Sequence, residues 1–124
     1  MEGSGCIASK FPEITDRLRE KLEGLSDEAE SAYYTFRSNG DPAMLDRAII
    51  GAIRFFMPAG GEAGAIPDSA HLINDLGFDS IAMTELVFLS EDIFGIIIAD
   101  DEVMTLTTVA EVKAFMRQKL NLEA

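Results

Sequence analysis

Apolar residues recur at helical spacing along most of the chain, and the breaks between runs fall at residues that end helices. Ile14, Leu18 and Leu22 repeat at i, i+4, i+8 among charged residues, which predicts an amphipathic helix from Pro12 to about Gly24. Ser26 or Asp27 can cap a second helix, with Ala29, Ala32, Tyr33 and Phe36 toward one side and Ser38-Asn39-Gly40 as its stop. Asp41-Pro42 opens a third: the aspartate accepts bonds from free backbone N–H groups, and proline's fixed φ suits the first helical position. Met44/Leu45, Ala48/Ile49, Ala52/Ile53 and Phe56 then keep the period until Pro58, so this helix is expected to be largely buried.

A long loop, 58–79, follows. It begins rich in glycine and proline but holds Ile66, Leu72, Leu76 and Phe78, and such a loop needs a functional or structural reason. The next helix spans Asp79-Ser80 to Phe94, stopped by Gly95. A short helical turn is expected at Asp100-Asp101-Glu102-Val103. The last helix opens on Thr108-x-x-Glu111, a capping box in which hydroxyl and carboxylate satisfy each other's backbone N–H groups. Its apolar face is Val109, Val112, Phe115/Met116 and Leu120, and Lys113, Arg117 and Lys119 suit the negative end of its dipole. Ile96-Ile97-Ile98 is too short an apolar run to establish a strand. The fold class read from this pattern is all-α.

With 124 residues, one compact domain with a short appendage fits better than two domains. The chain carries 22 acidic and 10 basic residues, a net charge of −12, which argues against nucleic acid or anionic lipid surfaces as partners. The charge is uneven: residues 1–61 hold 10 acids and 7 bases, residues 62–124 hold 12 acids and 3 bases, so an electropositive partner would dock on the second half. One cysteine, Cys6, and one histidine, His71, cannot build a disulfide framework or a Cys/His zinc site. Asp100-Asp101-Glu102 lack the alternate spacing and central glycine of a calcium loop. No apolar run approaches a membrane span, and the polar, aperiodic start lacks the form of a secretory signal. A soluble, cytoplasmic, monomeric protein is expected.

The chemistry concentrates in Asp75-Leu76-Gly77-Phe78-Asp79-Ser80-Ile81, a glycine turn that delivers a serine to the start of a helix. Together with Glu85-Leu86-Val87, Glu91-Asp92-x-Phe94, Ile98-x-Asp100-Asp101-Glu102 and Thr107-Thr108-Val109, in this order and spacing, the stretch resembles the acyl carrier protein family over residues 42–120. The resemblance implies a small four-helix bundle with a long first loop. It also implies that a phosphopantetheinyl transferase, using coenzyme A, attaches 4′-phosphopantetheine to Ser80. The arm would carry acyl groups as thioesters for enzymes of fatty acid, lipid or polyketide synthesis. A helix N-terminus favours an anion, which agrees with a phosphodiester on Ser80 beside Asp79. A catalytic Ser80 is disfavoured: a nucleophile needs a base within reach, His71 lies nine positions upstream, and Gly-Phe-Asp-Ser-Ile is not a G-x-S-x-G elbow. A peptidyl or aryl carrier, or an unmodified helical interaction protein, remains as an alternative.

At 100° per residue, Ala82, Leu86, Leu89 and Ile93 form the core face of the Ser80 helix, flanked by Met83, Val87 and Phe94. Thr84, Glu85, Glu91 and Asp92 lie opposite, and Ile81 and Phe88 share one line between them. Ile81, Glu85, Phe88, Glu91 and Asp92 are therefore the candidate docking strip for basic-patched partner enzymes, with contact through loops as the other use of the two apolar residues. Met83, Leu86, Val87 and Ile98 are the candidate acyl-pocket wall. Ala82 stands where members of the family often have an acid. The segment 1–40 is one that free-standing carriers lack, so the expected layout is an N-terminal extension, 1–40, of disordered tail plus one or two helices, before a carrier domain, 41–124. The expected core is Ile49, Ile53, Phe56, Leu76, Leu86, Leu89, Ile93, Ile98, Val109, Val112 and Phe115.

Overall fold

A computed structural model describes residues 15–57 and 66–120. The expected tail at 1–10, with Cys6, and the glycine-rich opening of the long loop lie outside them. The described residues form six helices: α1 (Asp16–Glu23), α2 (Asp27–Asn39), α3 (Pro42–Phe56), α4 (Ser80–Phe94), α5 (Asp100–Val103) and α6 (Val109–Lys119). No strand occurs among them, so the class is all-α. None of these helices is long and apolar enough to cross a membrane.

Local sequence sets each boundary. The side chains of Thr15, Ser26, Asp41, Asp79 and Thr108 accept N–H bonds at the starts of α1, α2, α3, α4 and α6, each relieving a donor that a helix start leaves unpaired. Gly40 and Gly95 close α2 and α4 in the left-handed conformation, φ 73° and 67°, which costs a residue with a Cβ. α1 begins at Asp16, capped by Thr15; Pro12 and Ile14 of the expected helix lie outside the described residues.

α3 is central and touches α2, α4 and α6, while α1 lies across α4 and α2. α2 and α3 approach closely at Gly51, where an added Cβ would sit 2.1 Å from the Ala29 Cβ. Leu18, Leu22, Tyr33 and Phe36 are buried in the same continuous core as Leu45, Ile53, Leu86, Ile93 and Met116. The core therefore differs from the expected set. Phe56, Leu76 and Phe115 are only half-buried and pack against its outside, while Tyr33, Phe36, Leu45, Leu72 and Met116 fill its centre. On α6 the buried line is Val109, Val112 and Met116, continued by Leu120. Phe115 sits one position round, with the Lys119 ammonium 5.5 Å from its ring centre.

The described part of the long loop is held by backbone bonds to the approach to α6: Leu72 N–H to Thr107 O (2.9 Å), Val109 N–H to Ala70 O (3.0 Å) and Ala110 N–H to Asp68 O (2.9 Å). With Leu72 and Phe78 buried at either end of its last turn, this loop delivers the chain to α4 in one position.

Candidate functional site

Ser80 is the first residue of α4 and is exposed. Its position follows from the turn before it. The Asp75 carboxylate accepts the His71 N–H (2.8 Å), and the Asn74 N–H donates to His71 Nδ1 (3.2 Å). Gly77 turns the backbone with φ 79°, where glycine alone is unstrained. The Phe78 N–H then donates to Leu72 O (2.9 Å) while its ring enters the core. Asp79 Oδ1 accepts the Ala82 N–H (2.8 Å). His71 is thus part of the turn's scaffold, and Asp79 anchors the helix on which Ser80 stands. Thr84 donates its hydroxyl to Ser80 O (2.8 Å), further fixing the first turn.

Of the docking candidates, Ile81 and Phe88 are 68% and 58% exposed, and Glu85 is exposed beside them. Glu91 and Asp92 are half-buried and used within the molecule. Glu91 Oε2 accepts the Ile98 N–H (2.8 Å), bracing the chain beyond Gly95. Asp92 pairs with Lys21 of α1. A wheel projection of α4 alone cannot reveal such partners, because they come from other segments. The acyl-pocket candidates divide as well: Leu86, Val87 and Ile98 are buried, Met83 is half-buried, and Leu86 belongs to the continuous core against which Met83 packs.

Phe55, which has no place in the expected site, is 51% exposed at the end of α3. Its ring meets that of Phe56 edge to face, centroids 4.9 Å apart. The adjacent Phe55-Phe56 pair was the available signal, since two neighbours on a helix cannot both face the core squarely. Together with Phe88, both rings border a cavity of about 380 Å³ between α1, α3 and α4.

Two carboxylates near α6 are held below the ordinary range. Glu111 is lowered by the Thr107 hydroxyl and by the Thr108 and Thr107 N–H groups, and Glu102 by the Ala99 N–H and then Lys119. Both are helix-start and loop fasteners, remote in sequence from Ser80. Among the described residues there is no cluster of His, Cys, Asp and Glu that could hold a metal ion.

Fold and site together define a small helical bundle that presents one serine at the N-terminus of a helix. A family model described as "phosphopantetheine attachment site" matches residues 60–116. The chain is 41% identical over 59 residues to acyl carrier proteins of Rhodopseudomonas palustris (strain TIE-1) and Nitrobacter winogradskyi, a match covering 48% of this chain and 75% of each relative. No solved structure gives a significant match. The chain belongs to the acyl carrier protein family.

Proposed function

We propose that Ser80 bears a 4′-phosphopantetheine arm, transferred from coenzyme A by a phosphopantetheinyl transferase, and that the protein carries acyl groups without catalysing their chemistry. When attached, the arm supplies a terminal thiol that holds an acyl group as a thioester. The observation that carries this reading is the exposed Ser80 hydroxyl at the head of α4, inside the matched segment. The residues present fit the group. A transferase can reach Ser80, and the positive end of α4 favours the phosphodiester by about 0.3–1 kcal/mol at an exposed position. Gly77 and the buried Phe78 hold the turn, so the serine is presented in one orientation instead of being sought on a mobile loop. Asp79 keeps the first turn wound by accepting the Ala82 N–H.

Ile81, Glu85 and Phe88 are the docking residues of this reading, with Glu91 and Asp92 supporting the face from within it. Met83, Leu86, Val87 and Ile98 are the wall along which a fatty chain would be shielded, gaining roughly 25 cal/mol per Å² of apolar area removed from water. The carrier would serve fatty acid, lipid or polyketide enzymes in the cytoplasm.

The test is intact mass after incubation with coenzyme A and a broad-specificity transferase. One phosphopantetheine addition is expected, abolished by Ser80→Ala while the helical circular dichroism persists. Attachment at another residue, or none, overturns the assignment.

A further inference from the structure

The cavity between α1, α3 and α4 has an aromatic wall and an acidic rim. Phe55, Phe56, Phe88 and Leu89 supply the apolar lining, and Glu20 of α1 and Glu85 of α4 line the same opening. Lys21 is the basic group lining the same opening, and its ammonium is paired with Asp92. The lining therefore carries two carboxylates against one ammonium, and that ammonium is already paired. Arg17 and Arg19 also lie on α1, but neither lines the cavity. Phe55 and Phe88 are each more than half exposed, so the opening presents a large amount of aromatic surface. Gly24, exposed at the end of α1 and lining the opening, leaves room for the Phe55 ring: an added Cβ would meet it at 3.2 Å. Phe88 is eight residues beyond Ser80 on α4, about 12 Å along the helix axis, so an occupant of the cavity lies on the serine's helix about two turns beyond it.

We propose that this cavity is a docking site for a protein partner that inserts an apolar side chain flanked by lysine or arginine, and that the N-terminal extension, through α1, forms one wall of it. The charge pattern selects the partner. Two acids at the rim attract a basic surface and repel an acidic one, and the rings beneath anchor what the charges bring in. The inference rests on the carrier reading for its purpose: the partner is an enzyme that works on the arm at Ser80, and α1 distinguishes the partners of this carrier from those that need only α4. A second copy of this strongly acidic chain is disfavoured as occupant by the same rim.

The experiment uses the full chain, isotopically labelled and unmodified, titrated at low salt with two synthetic peptides. One has a single leucine or phenylalanine between lysines, and the other has glutamates in place of the lysines. The expected result is amide shifts concentrated at Gly24, Phe55, Phe56 and Phe88, with the basic peptide binding at least about tenfold tighter than the acidic one. Glu20→Lys, at an exposed site, should remove most of that preference, and Gly24→Leu should weaken binding by filling the cavity from the α1 side, with circular dichroism confirming the fold of each. Phe55→Ala combined with Phe88→Ala should abolish the shifts. No shift at millimolar peptide, equal binding of both peptides, or insensitivity to the two α1 substitutions overturns the proposal. So does concentration-dependent self-association through these residues, or displacement of the same amides by an octanoyl chain loaded on the Ser80 arm. Peptide binding does not depend on modification of Ser80. Mass gain without peptide binding would sink this inference alone; peptide binding without mass gain would sink the carrier reading and with it the identity of the partner, leaving the docking site itself standing.

Discussion

The Tyr33 hydroxyl of α2 donates to the backbone carbonyl of Ile93 in the last turn of α4. Carbonyls there have no partner within their own helix, so a residue of the N-terminal extension completes the helix that begins at Ser80. Arg37 supports the link by donating to the same hydroxyl oxygen at 3.0 Å, and the Phe94 ring meets those of Tyr33 and Phe36 edge to face. Burial raises the Tyr33 pKa above its ordinary value, against the opposing pull of Arg37, so the phenol stays a donor through the physiological range. Tyr33→Phe leaves the Ile93 carbonyl without its donor in a dry site and should cost about 1–3 kcal/mol, read as a lower urea midpoint with an unchanged slope. An unchanged midpoint would mean that water reaches this carbonyl.

The same contacts bear on the boundary at residue 41. Leu18, Leu22, Tyr33 and Phe36 share one core with the carrier helices, and removing residues 1–40 would uncover the faces of α3 and α4 that they cover. We propose that extension and carrier fold as one unit. The expected outcome for a chain starting at Asp41 is a molten or aggregated state, seen as retained far-ultraviolet dichroism with collapsed amide dispersion and binding of a hydrophobic dye. A well-dispersed spectrum and two-state melting would establish 41–124 as a separate domain.

How much of this was legible in the sequence depended on the range of the interaction involved. Helix starts were, because Ser26, Asp41 and Thr108 act on backbone within three residues of themselves. So was the exposure of Ile81 and Phe88, which follows from the phase of a single helix. The tertiary use of Glu91 and Asp92 was not, since Lys21 is 71 positions from Asp92 in sequence. The centre of the core was misjudged for the same reason. Tyr33 and Phe36 read as one face of an appendage, and only the packing of α2 on α3 and against the end of α4 makes them interior. Phe115 and Met116 both fitted the apolar face of α6, and the neighbouring helix, not the periodicity, selects Met116.

Acid should loosen the attachment of α6. Glu111 accepts the N–H groups of Thr107 (2.9 Å) and Thr108 (3.0 Å) together with the Thr107 hydroxyl, and its pKa is depressed as a result. Glu102 is depressed likewise. Because the unfolded chain takes up these protons first, both groups stabilise the fold above the ordinary carboxylate pKa of about 4.3. That contribution fades as pH falls below that value toward their lower native pKa values. Glu111→Gln should flatten this part of the stability profile between neutral pH and the acid limb. A variant with the wild-type slope would show that the three bonds do not distinguish the charged carboxylate.

The sharpest steric prediction concerns Gly51. In an isolated helix alanine is favoured over glycine by about 1 kcal/mol, so Gly51→Ala would stabilise α3 if nothing lay against it. Here the new methyl would sit 2.1 Å from the Ala29 Cβ, far inside van der Waals contact. A Cβ has no rotamer by which to escape, so α2 and α3 must separate along the pair of helices that pack most extensively. Overpacking of this kind costs about 1–3 kcal/mol, enough to outweigh the helix preference and lower the melting temperature. Ala29→Gly in the Gly51→Ala background should recover much of the loss, since it removes the opposing methyl. That recovery, measured as a non-additive cycle, separates a steric clash between these two positions from a general effect on α3. A stabilised Gly51→Ala protein would mean that α2 does not lie against α3 at this point, and the path from the extension through Tyr33 to the Ser80 helix would have to be redrawn.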